Sequence, residues 1–274
     1  MSGAPFDPAA FRKFEHEGWE RLSQGYHRHW EALTTQAVPR LLASAAVAKG
    51  THVLDVACGP GYASGAAAAW GAMTVGVDFS ENMIALANTN FSELDFQTAD
   101  AEELPFPDGN FDVVLINFGV LHFPDPDTAL AEAYRVLKLG GRLAFTNWAR
   151  SEESAITIAM KAIADKGSLE VGLPAGTPLY RFADHDECKA VLGGIGFTNT
   201  TCTDLTFTWR LPRPDMLMET FQQATARMSG LLGAQDPEVL PDISAAMAEG
   251  CAPYDQGSIT ILPMPAVLTV GTKG

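Results

Sequence analysis

Basic residues are scarce in this 274-residue chain, which has 18 lysines and arginines against 33 aspartates and glutamates and a net charge of −15. A field of that sign repels phosphate backbones and anionic lipid surfaces, and no cluster of lysines and arginines offsets it. We therefore expect neither nucleic acid nor an anionic membrane surface as a partner. A hydrophobic content of 47% with 19% charged residues is typical of a folded protein.

Cysteine and long apolar runs are also scarce. The four cysteines form no C-x-x-C pair and have no histidine at metal-ligand spacing, so we expect free thiols in a reducing compartment and no metal site. Residues 1–13 lack the basic start and apolar run of a signal peptide. No stretch reaches the ~18 apolar residues of a membrane span. We expect a cytoplasmic protein, and the sequence leaves open whether it forms a homodimer.

Helical patterns dominate the first 48 residues. Asp7 and Pro8 supply an N-cap and a proline at the first helical position, and aromatic residues then recur every three to five positions. We expect a helical lid over 1–48 that excludes water from a site, with a break near Pro39. Metal binding by His27 and His29 is disfavoured, because residues two apart do not share a helix face.

From residue 52 onward, short apolar runs alternate with helical patterns. The predicted strands are 52–56, 73–77, 94–97, 111–117 and 142–146, and the predicted helices are 64–70, 80–90 and 128–137. Runs that are apolar on both faces and separated by helices are typical of a parallel sheet covered on both sides. The pattern predicts a doubly wound α/β domain.

The pattern is less regular after residue 150. It predicts helices at 154–166, 184–192, 215–232 and 237–250, and strands at 200–211 and 259–271. Pro263 and Pro265 suit an edge strand or a bulge. We expect one domain over 1–274, with a cofactor-binding core at 49–150, helical cap insertions at 151–183 and 211–257, and completion of the sheet by 184–210 and 258–274.

A glycine turn follows the first predicted strand, within VLDVACGPGY at Val53–Tyr62. Glycines at 59 and 61 let the backbone approach a ligand closely. That ligand would lie at the mouth of the sheet, beside a helix N-terminus. Taken alone, the turn also fits a nicotinamide-dependent enzyme or a purely structural connection.

Acidic residues at three strand ends separate these interpretations. Asp55 would repel a pyrophosphate and suits a cationic ligand, whereas Asp78 can accept hydrogen bonds from ribose hydroxyls. Asp100 can accept one from the adenine amine. The set favours S-adenosylmethionine, which carries a sulfonium and an ammonium but no phosphate. A nicotinamide cofactor is further disfavoured because Ser64 stands where its motif requires glycine or alanine.

Several segments together resemble the class I S-adenosylmethionine-dependent methyltransferases. They are VLDVACGPGYAS, VGVDFSENMIALA, the Asp100-Ala101-Glu102 step and FDVVLINFGVLHFPDPDTALAEAYRVLKLGGRLAFTNW. The likeness covers 51–148 and is greatest to the branch that includes ubiquinone and menaquinone biosynthesis methyltransferases. It implies a Rossmann-like, doubly wound, seven-stranded sheet with an antiparallel last strand, and methyl transfer to a small molecule.

The resemblance also implies cofactor contacts at matching positions. Those to the methionine part are Asp55, Ala57, Gly59 and Gly61, and those to the ribose and adenine are Asp78, Phe79, Met83, Asp100 and Ala101. Asn117 would lie beneath the cofactor, and Tyr26 would contact its carboxylate. Ordinary packing also explains Phe79, Met83 and Tyr26, and Asn117 also suits a strand-end cap.

His122, just after the fourth predicted strand, is the candidate general base. A base is needed only where the attacking atom carries a proton, and a structural role in the loop is the alternative. The cap residues suit an apolar or aromatic acceptor, although packing explains them equally well; they are Met160, Leu173, Tyr180, Met216, Met218, Phe221 and Met228. Arg181 and Arg227 could pair with an acidic acceptor or remain surface charges.

Other functions remain open at this point. An enzyme could bind S-adenosylmethionine and carry out elimination or cyclisation instead of methyl transfer. A nicotinamide-dependent oxidoreductase and a non-catalytic adenosyl-binding regulatory protein are further alternatives. Degraded motifs would indicate the last of these, and the motifs are intact.

Overall fold

The computed structural model describes residues 6–274. Its helices are α1 (Pro8–His29), α2 (Glu31–Thr34), α3 (Val38–Ser44), α4 (Tyr62–Ala69), α5 (Glu81–Asn90), α6 (Pro126–Val136), α7 (Ala155–Lys166), α8 (His185–Ile195), α9 (Met216–Ala224), α10 (Ala226–Gly233) and α11 (Leu240–Cys251). Its strands are β1 (His52–Val56), β2 (Met73–Asp78), β3 (Asp95–Thr98), β4 (Phe111–Asn117), β5 (Leu137–Trp148), β6 (Phe197–Leu211) and β7 (Thr260–Lys273). None of these helices is long and apolar enough to cross a membrane.

The chain forms two compact units. The sheet unit comprises 34–148, 176–205 and 266–274, and the helical unit comprises 6–33, 149–175 and 206–265. The cap helices α7 and α9 to α11 belong to the helical unit together with α1, the first helix of the predicted lid. The last helix of the predicted lid, α3, belongs to the sheet unit. The prediction of one domain over the whole chain stays a prediction.

A seven-stranded sheet in the order β3-β2-β1-β4-β5-β7-β6 runs through the described residues. β1 pairs in parallel with β2 and β4, whereas β7 runs antiparallel to β5. The inner strands are buried on both faces, which is why they read as continuous apolar runs. The predicted fold class, including the antiparallel last strand, is confirmed.

Two details of the expected topology are wrong. Of the two alternatives for Pro263 and Pro265, an edge strand or a bulge, the edge is wrong for β7 as a whole, because β7 lies between β5 and β6. Its prolines precede the pairing with β5, which begins at Ala266, and the Pro265 carbonyl accepts a hydrogen bond of 2.9 Å from the Ala149 N–H. A proline lacks only the donor, so it can occupy such a position.

The second error concerns the helix predicted over 215–232. It is two helices, α9 and α10, because Thr225 between them adopts extended dihedral angles of −137° and 132°. The break expected near Pro39 is confirmed, because a 3₁₀ turn at Thr35–Ala37 separates α2 from α3. Pro39 lies in the first turn of α3, where a missing N–H costs nothing.

Aromatic side chains form the centre of the helical unit. The Trp30 ring lies 4.8 Å from that of Trp209, which in turn lies 5.4 Å from Phe221. The Trp209 indole N–H donates to the His29 carbonyl at 3.3 Å, and the His29 ring bonds the Gln223 side chain at 3.1 Å. These contacts join the end of α1 to β6 and α9.

Candidate cofactor site

The two glycines of the turn after β1 have different surroundings. Gly59 has a φ of +52°, and a Cβ there would meet nothing within 4 Å. Gly61 has a φ of +84°, and its Cβ would lie 2.8 Å from the Phe96 ring and 3.2 Å from the Ala87 Cβ. Gly59 therefore leaves a space open to a ligand, whereas packing of α4 on the sheet accounts for Gly61.

Two residues that are not glycine also adopt left-handed backbone angles at the carboxyl ends of neighbouring strands. Ala57 after β1 has a φ of +54° and Phe118 after β4 has a φ of +56°. The two turns are close together, because a Cβ at Gly119 would lie 2.7 Å from that of Ala57. Backbone strain of this kind clusters at functional sites.

Asp55 at the end of β1 is buried, with 1% of its surface exposed. Its Oδ2 accepts hydrogen bonds from the Ser64 N–H at 2.9 Å and from the Ser64 hydroxyl at 2.7 Å. Within residues 6–274, its Oδ1 has no partner. Burial raises the pKa of Asp55 to about 7, against the two hydrogen bonds from Ser64, and the nearby Asp78 raises it further.

Ser64 is a functional candidate that sequence reasoning did not identify. In the sequence, Ser64 is notable only as a departure from the nicotinamide-binding motif. Its place in the first turn of α4, nine residues after the strand-end acid, was the available signal, because a hydroxyl there can hydrogen-bond the acid.

Asp78 at the end of β2 joins two turns. Its Oδ2 accepts from the Gly59 N–H at 2.9 Å, and its Oδ1 accepts from the Ser80 N–H at 2.9 Å. The Ser80 hydroxyl caps α5 by accepting from the Met83 N–H at 3.1 Å. Met83 is buried in α5 with 4% exposure and Phe79 is half-buried, and their contacts with a cofactor stay predictions.

Asp100 and Ala101 follow β3. The Asp100 Oδ1 accepts from the Glu102 N–H at 2.9 Å, and the Ala101 side chain is buried. The strand ends are joined by a bond of 2.9 Å from the Ala99 N–H to the Asp78 carbonyl. The predicted ribose and adenine contacts thus belong to one continuous edge of the sheet.

Asn117 at the end of β4 is bound at both ends of its side-chain amide. Its Nδ2 donates to the Thr34 carbonyl at 3.2 Å, and its Oδ1 accepts from the Thr146 hydroxyl at 2.9 Å. The same hydroxyl accepts from the Phe118 N–H at 2.9 Å. These bonds make Asn117 a strand-end cap, and its contact with a cofactor stays a prediction.

His122 ends a single turn of 3₁₀ helix that follows β4. Its N–H donates to the Gly119 carbonyl at 2.9 Å, and its side chain is half-buried. Nearby, the Phe118 ring stacks on that of Trp148 with centroids 3.9 Å apart. The position suits a side chain at the rim of the site, and the role of general base stays a prediction.

Three other candidates lie elsewhere. Tyr26 belongs to the helical unit and packs edge-on against Trp19 with centroids 5.5 Å apart, so its cofactor contact stays a prediction. Arg181 forms ion pairs of 2.7 Å with both Asp127 and Glu187. Arg227 donates to the Pro174 carbonyl within the helical unit. Internal partners therefore account for both arginines.

The residues at this edge of the sheet fit an adenosyl ligand without phosphates. Open space above Gly59 admits a ligand beside the strand ends. A carboxylate stands one residue before the end of β1 (Asp55), at the end of β2 (Asp78) and in the turn after β3 (Asp100). Carboxylates accept hydrogen bonds and attract cations, whereas a pyrophosphate would be repelled. No group of three or more potential metal ligands occurs among the described residues.

Comparison with known proteins agrees with a site for an adenosyl ligand without phosphates. A family model described as a methyltransferase domain matches residues 54–145. A demethylmenaquinone methyltransferase of Clavibacter sepedonicus is 41% identical over 125 residues, which are 44% of this chain and 48% of that protein. The chain thus spans about half the length of this relative.

A second relative is covered more completely. The ubiquinone/menaquinone biosynthesis C-methyltransferase UbiE of Pseudoalteromonas translucida is 30% identical over 207 residues, 68% of this chain and 78% of that protein. The structure of Haemonchus contortus phosphoethanolamine N-methyltransferase 2 with S-adenosyl-L-methionine shares the fold, with a TM-score of 0.59 at 17% identity over 96% of this chain and 60% of that one.

The chain belongs to the class I S-adenosylmethionine-dependent methyltransferase family. The family resemblance read from the sequence is confirmed, and with it the cofactor that the family uses, S-adenosylmethionine.

Proposed function

We propose that this protein transfers the methyl group of S-adenosylmethionine to a small apolar or aromatic acceptor. The observation that carries the proposal is the open space above Gly59, beside the acidic ends of β1 and β2. A ligand in that space meets carboxylates and backbone groups, which suits a cation and an adenosine.

The residues of the sheet unit would divide the binding between them. Asp78 would accept from the ribose hydroxyls, which is compatible with its two backbone bonds because each carboxylate oxygen accepts more than one hydrogen bond. Asp100 and Ala101 would bind the adenine amine, and Asp55 with Ala57 and Gly59 would lie beside the methionine part. Phe79 would pack near the adenine.

Little covalent help is required from the protein. S-adenosylmethionine supplies a methyl group already activated on a sulfonium, so the chain's task is to hold an acceptor in line and to exclude water. Where the attacking atom carries a proton, we propose that the His122 imidazole removes it.

One observation supports an apolar or aromatic acceptor, and another supports a cytoplasmic protein. The relatives described above are named as quinone-biosynthesis methyltransferases. The four cysteines, Cys58, Cys188, Cys202 and Cys251, are free thiols, as is usual in a reducing compartment.

The decisive experiment measures S-adenosylhomocysteine formation by mass spectrometry, with a panel of hydroquinones, phenols and amines as acceptors. We expect product that depends on a hydroquinone or phenol and carries the label of a trideuteromethyl donor. Binding of S-adenosylmethionine without labelled product from any acceptor would contradict methyl transfer. Labelling of the amines alone would contradict the proposed acceptor class.

The same assay tests His122. His122→Ala should lower kcat roughly 10²-fold and remove the acidic limb of the pH–rate profile, since general bases contribute about that much. Phe123→Leu, a change of a buried neighbour, is the matched control and should keep the profile. A His122→Ala profile identical to that of the unaltered protein would remove the imidazole from the mechanism.

A further inference from the structure

Arg135, near the end of α6, holds the loop that follows Asp100 and Ala101. Its guanidinium donates to two backbone carbonyls of that loop, Leu104 at 2.9 Å and Phe106 at 2.7 Å. The same group pairs with Asp108 at 2.8 Å and with Glu132 at 2.7 Å.

Glu132, one turn earlier in α6, completes the arrangement. Its Oε2 accepts from the Leu104 N–H at 2.8 Å and from the Arg135 Nη2 at 2.8 Å. Leu104 is thus bound through both its N–H and its carbonyl. We call this pair of residues the Arg135–Glu132 clamp.

Backbone bonds extend the contact to the end of the loop. The Gly109 N–H donates to the Arg135 carbonyl at 3.1 Å, and the Asn110 N–H donates to the Val136 carbonyl at 2.7 Å. At the other end, the Glu102 carboxylate accepts from the Asp125 N–H at 2.8 Å, just before α6. The loop from Glu102 to Asn110 is therefore tied to α6 and its N-cap.

Charge alone does not explain the choice of arginine. The Arg135 side chain is 31% exposed and its partner Asp108 is 81% exposed, and ion pairs at such sites contribute little to stability. A guanidinium differs from an ammonium in presenting several donors in a fixed plane, so it can bind two carbonyls and two carboxylates at once. That geometry defines the shape of a loop.

We infer that Arg135 and Glu132 are positioning residues that place Asp100 and Ala101 for recognition of the adenine amine. The inference rests on the proposed function, because it assumes that the adenosyl group binds at this loop. Neither residue need touch the cofactor. Displacement of the loop weakens the contact with the amine and leaves contacts with the rest of the ligand in place.

The test compares binding of S-adenosylhomocysteine with that of S-inosylhomocysteine, in which a carbonyl oxygen replaces the adenine amine. Calorimetry should show that the unaltered protein prefers the adenosyl compound by at least about tenfold, the effect of one lost hydrogen bond to a charged group. In Arg135→Lys the preference should fall to about threefold or less, while the affinity for the inosyl compound changes less than about twofold. General destabilisation would weaken both compounds equally.

Two further variants complete the experiment. Glu132→Gln should reduce the preference in the same direction and serves if Arg135→Lys does not fold. Arg142→Lys is the same substitution on β5, where the side chain's one hydrogen bond within residues 6–274 is to the Ser44 carbonyl at 3.4 Å, and it should leave the preference unchanged. If both clamp variants keep the preference for S-adenosylhomocysteine, the inference is overturned and the proposed function still stands. Failure of the unaltered protein to bind either compound overturns the proposed function together with it.

Discussion

Asp55 is an acid whose charge changes near neutral pH. Its pKa rises from the ordinary value of 3.8 to about 7, with burial as the main cause. Between these values the folded protein keeps a proton that the unfolded chain has released. The contribution to the free energy of unfolding is therefore fully present below pH 4 and is lost as the pH rises through 7.

Asp55→Asn isolates this effect, because an amide keeps an acceptor for Ser64 and does not titrate. Between pH 5 and pH 8 the unaltered protein should lose about 2–3 kcal/mol of unfolding free energy relative to the variant, given about 1.4 kcal/mol per pKa unit. Urea unfolding at several pH values measures the difference. If the plots of unfolding free energy against pH stay parallel for the two proteins, Asp55 titrates at its ordinary pKa.

Among residues 6–274 the Asp55 Oδ1 has no hydrogen-bond partner, and this affects how Asp55 would take part in ligand binding. A buried acceptor without a donor is costly, and the cost grows when the group is ionised. A cation in the open space above Gly59 would favour the ionised form. Ligand binding and proton release should therefore be linked at this residue.

At the scale of the element, the turn between β1 and α4 holds two glycines on either side of Pro60, and we expect one to affect mainly ligand binding and the other mainly stability. Gly59→Ala should cost only about 1–2 kcal/mol of stability for its left-handed φ, yet weaken S-adenosylhomocysteine binding at least about tenfold, because its Cβ enters the ligand's space. Gly61→Ala should cost about 2–5 kcal/mol, since strain adds to overpacking against Phe96.

Denaturant unfolding measures the loss of stability in each variant, and calorimetry measures its affinity for S-adenosylhomocysteine. Each variant is the control for the other, because the two changes are chemically identical and only their surroundings differ. Unchanged ligand affinity in a folded Gly59→Ala protein would show that the cofactor lies elsewhere.

The sequence was informative about elements wherever the signal was local. β1 and β4 have the predicted bounds because a polar residue marks one end of each apolar run, His52 at the start of β1 and Asn117 at the end of β4. The break between α9 and α10 was not foreseen, because Thr225 is neither glycine nor proline and nothing local marks it.

The same distinction between local and long-range signals applies to the candidate site. The glycine turn and the strand-end acids were visible as short motifs, whereas the bonds that organise them join distant residues. Asn117 bonds Thr34, 83 positions earlier, and Arg135 bonds Leu104, 31 positions earlier. Such pairs follow from the order of the strands, which a single sequence does not display.

For the whole molecule, the net charge of −15 predicts behaviour at surfaces. The protein should not co-sediment with phosphatidylglycerol vesicles at 50 mM salt, where charges are screened only beyond roughly 14 Å. Phosphatidylcholine vesicles are the matched control for apolar binding. Sedimentation with the anionic vesicles that declines as salt is added would reveal a basic surface that the composition conceals.

The position of β7 has a consequence for synthesis on the ribosome. β5 exposes an unpaired backbone edge until Ala266 and its successors emerge to cover it, and β6 has no neighbour in the sheet before then. The segment 212–265 must be translated while the edges of both of these strands stand open, a state that invites association between nascent chains. Cellular yield should therefore depend on chaperones that shield those edges until β7 emerges.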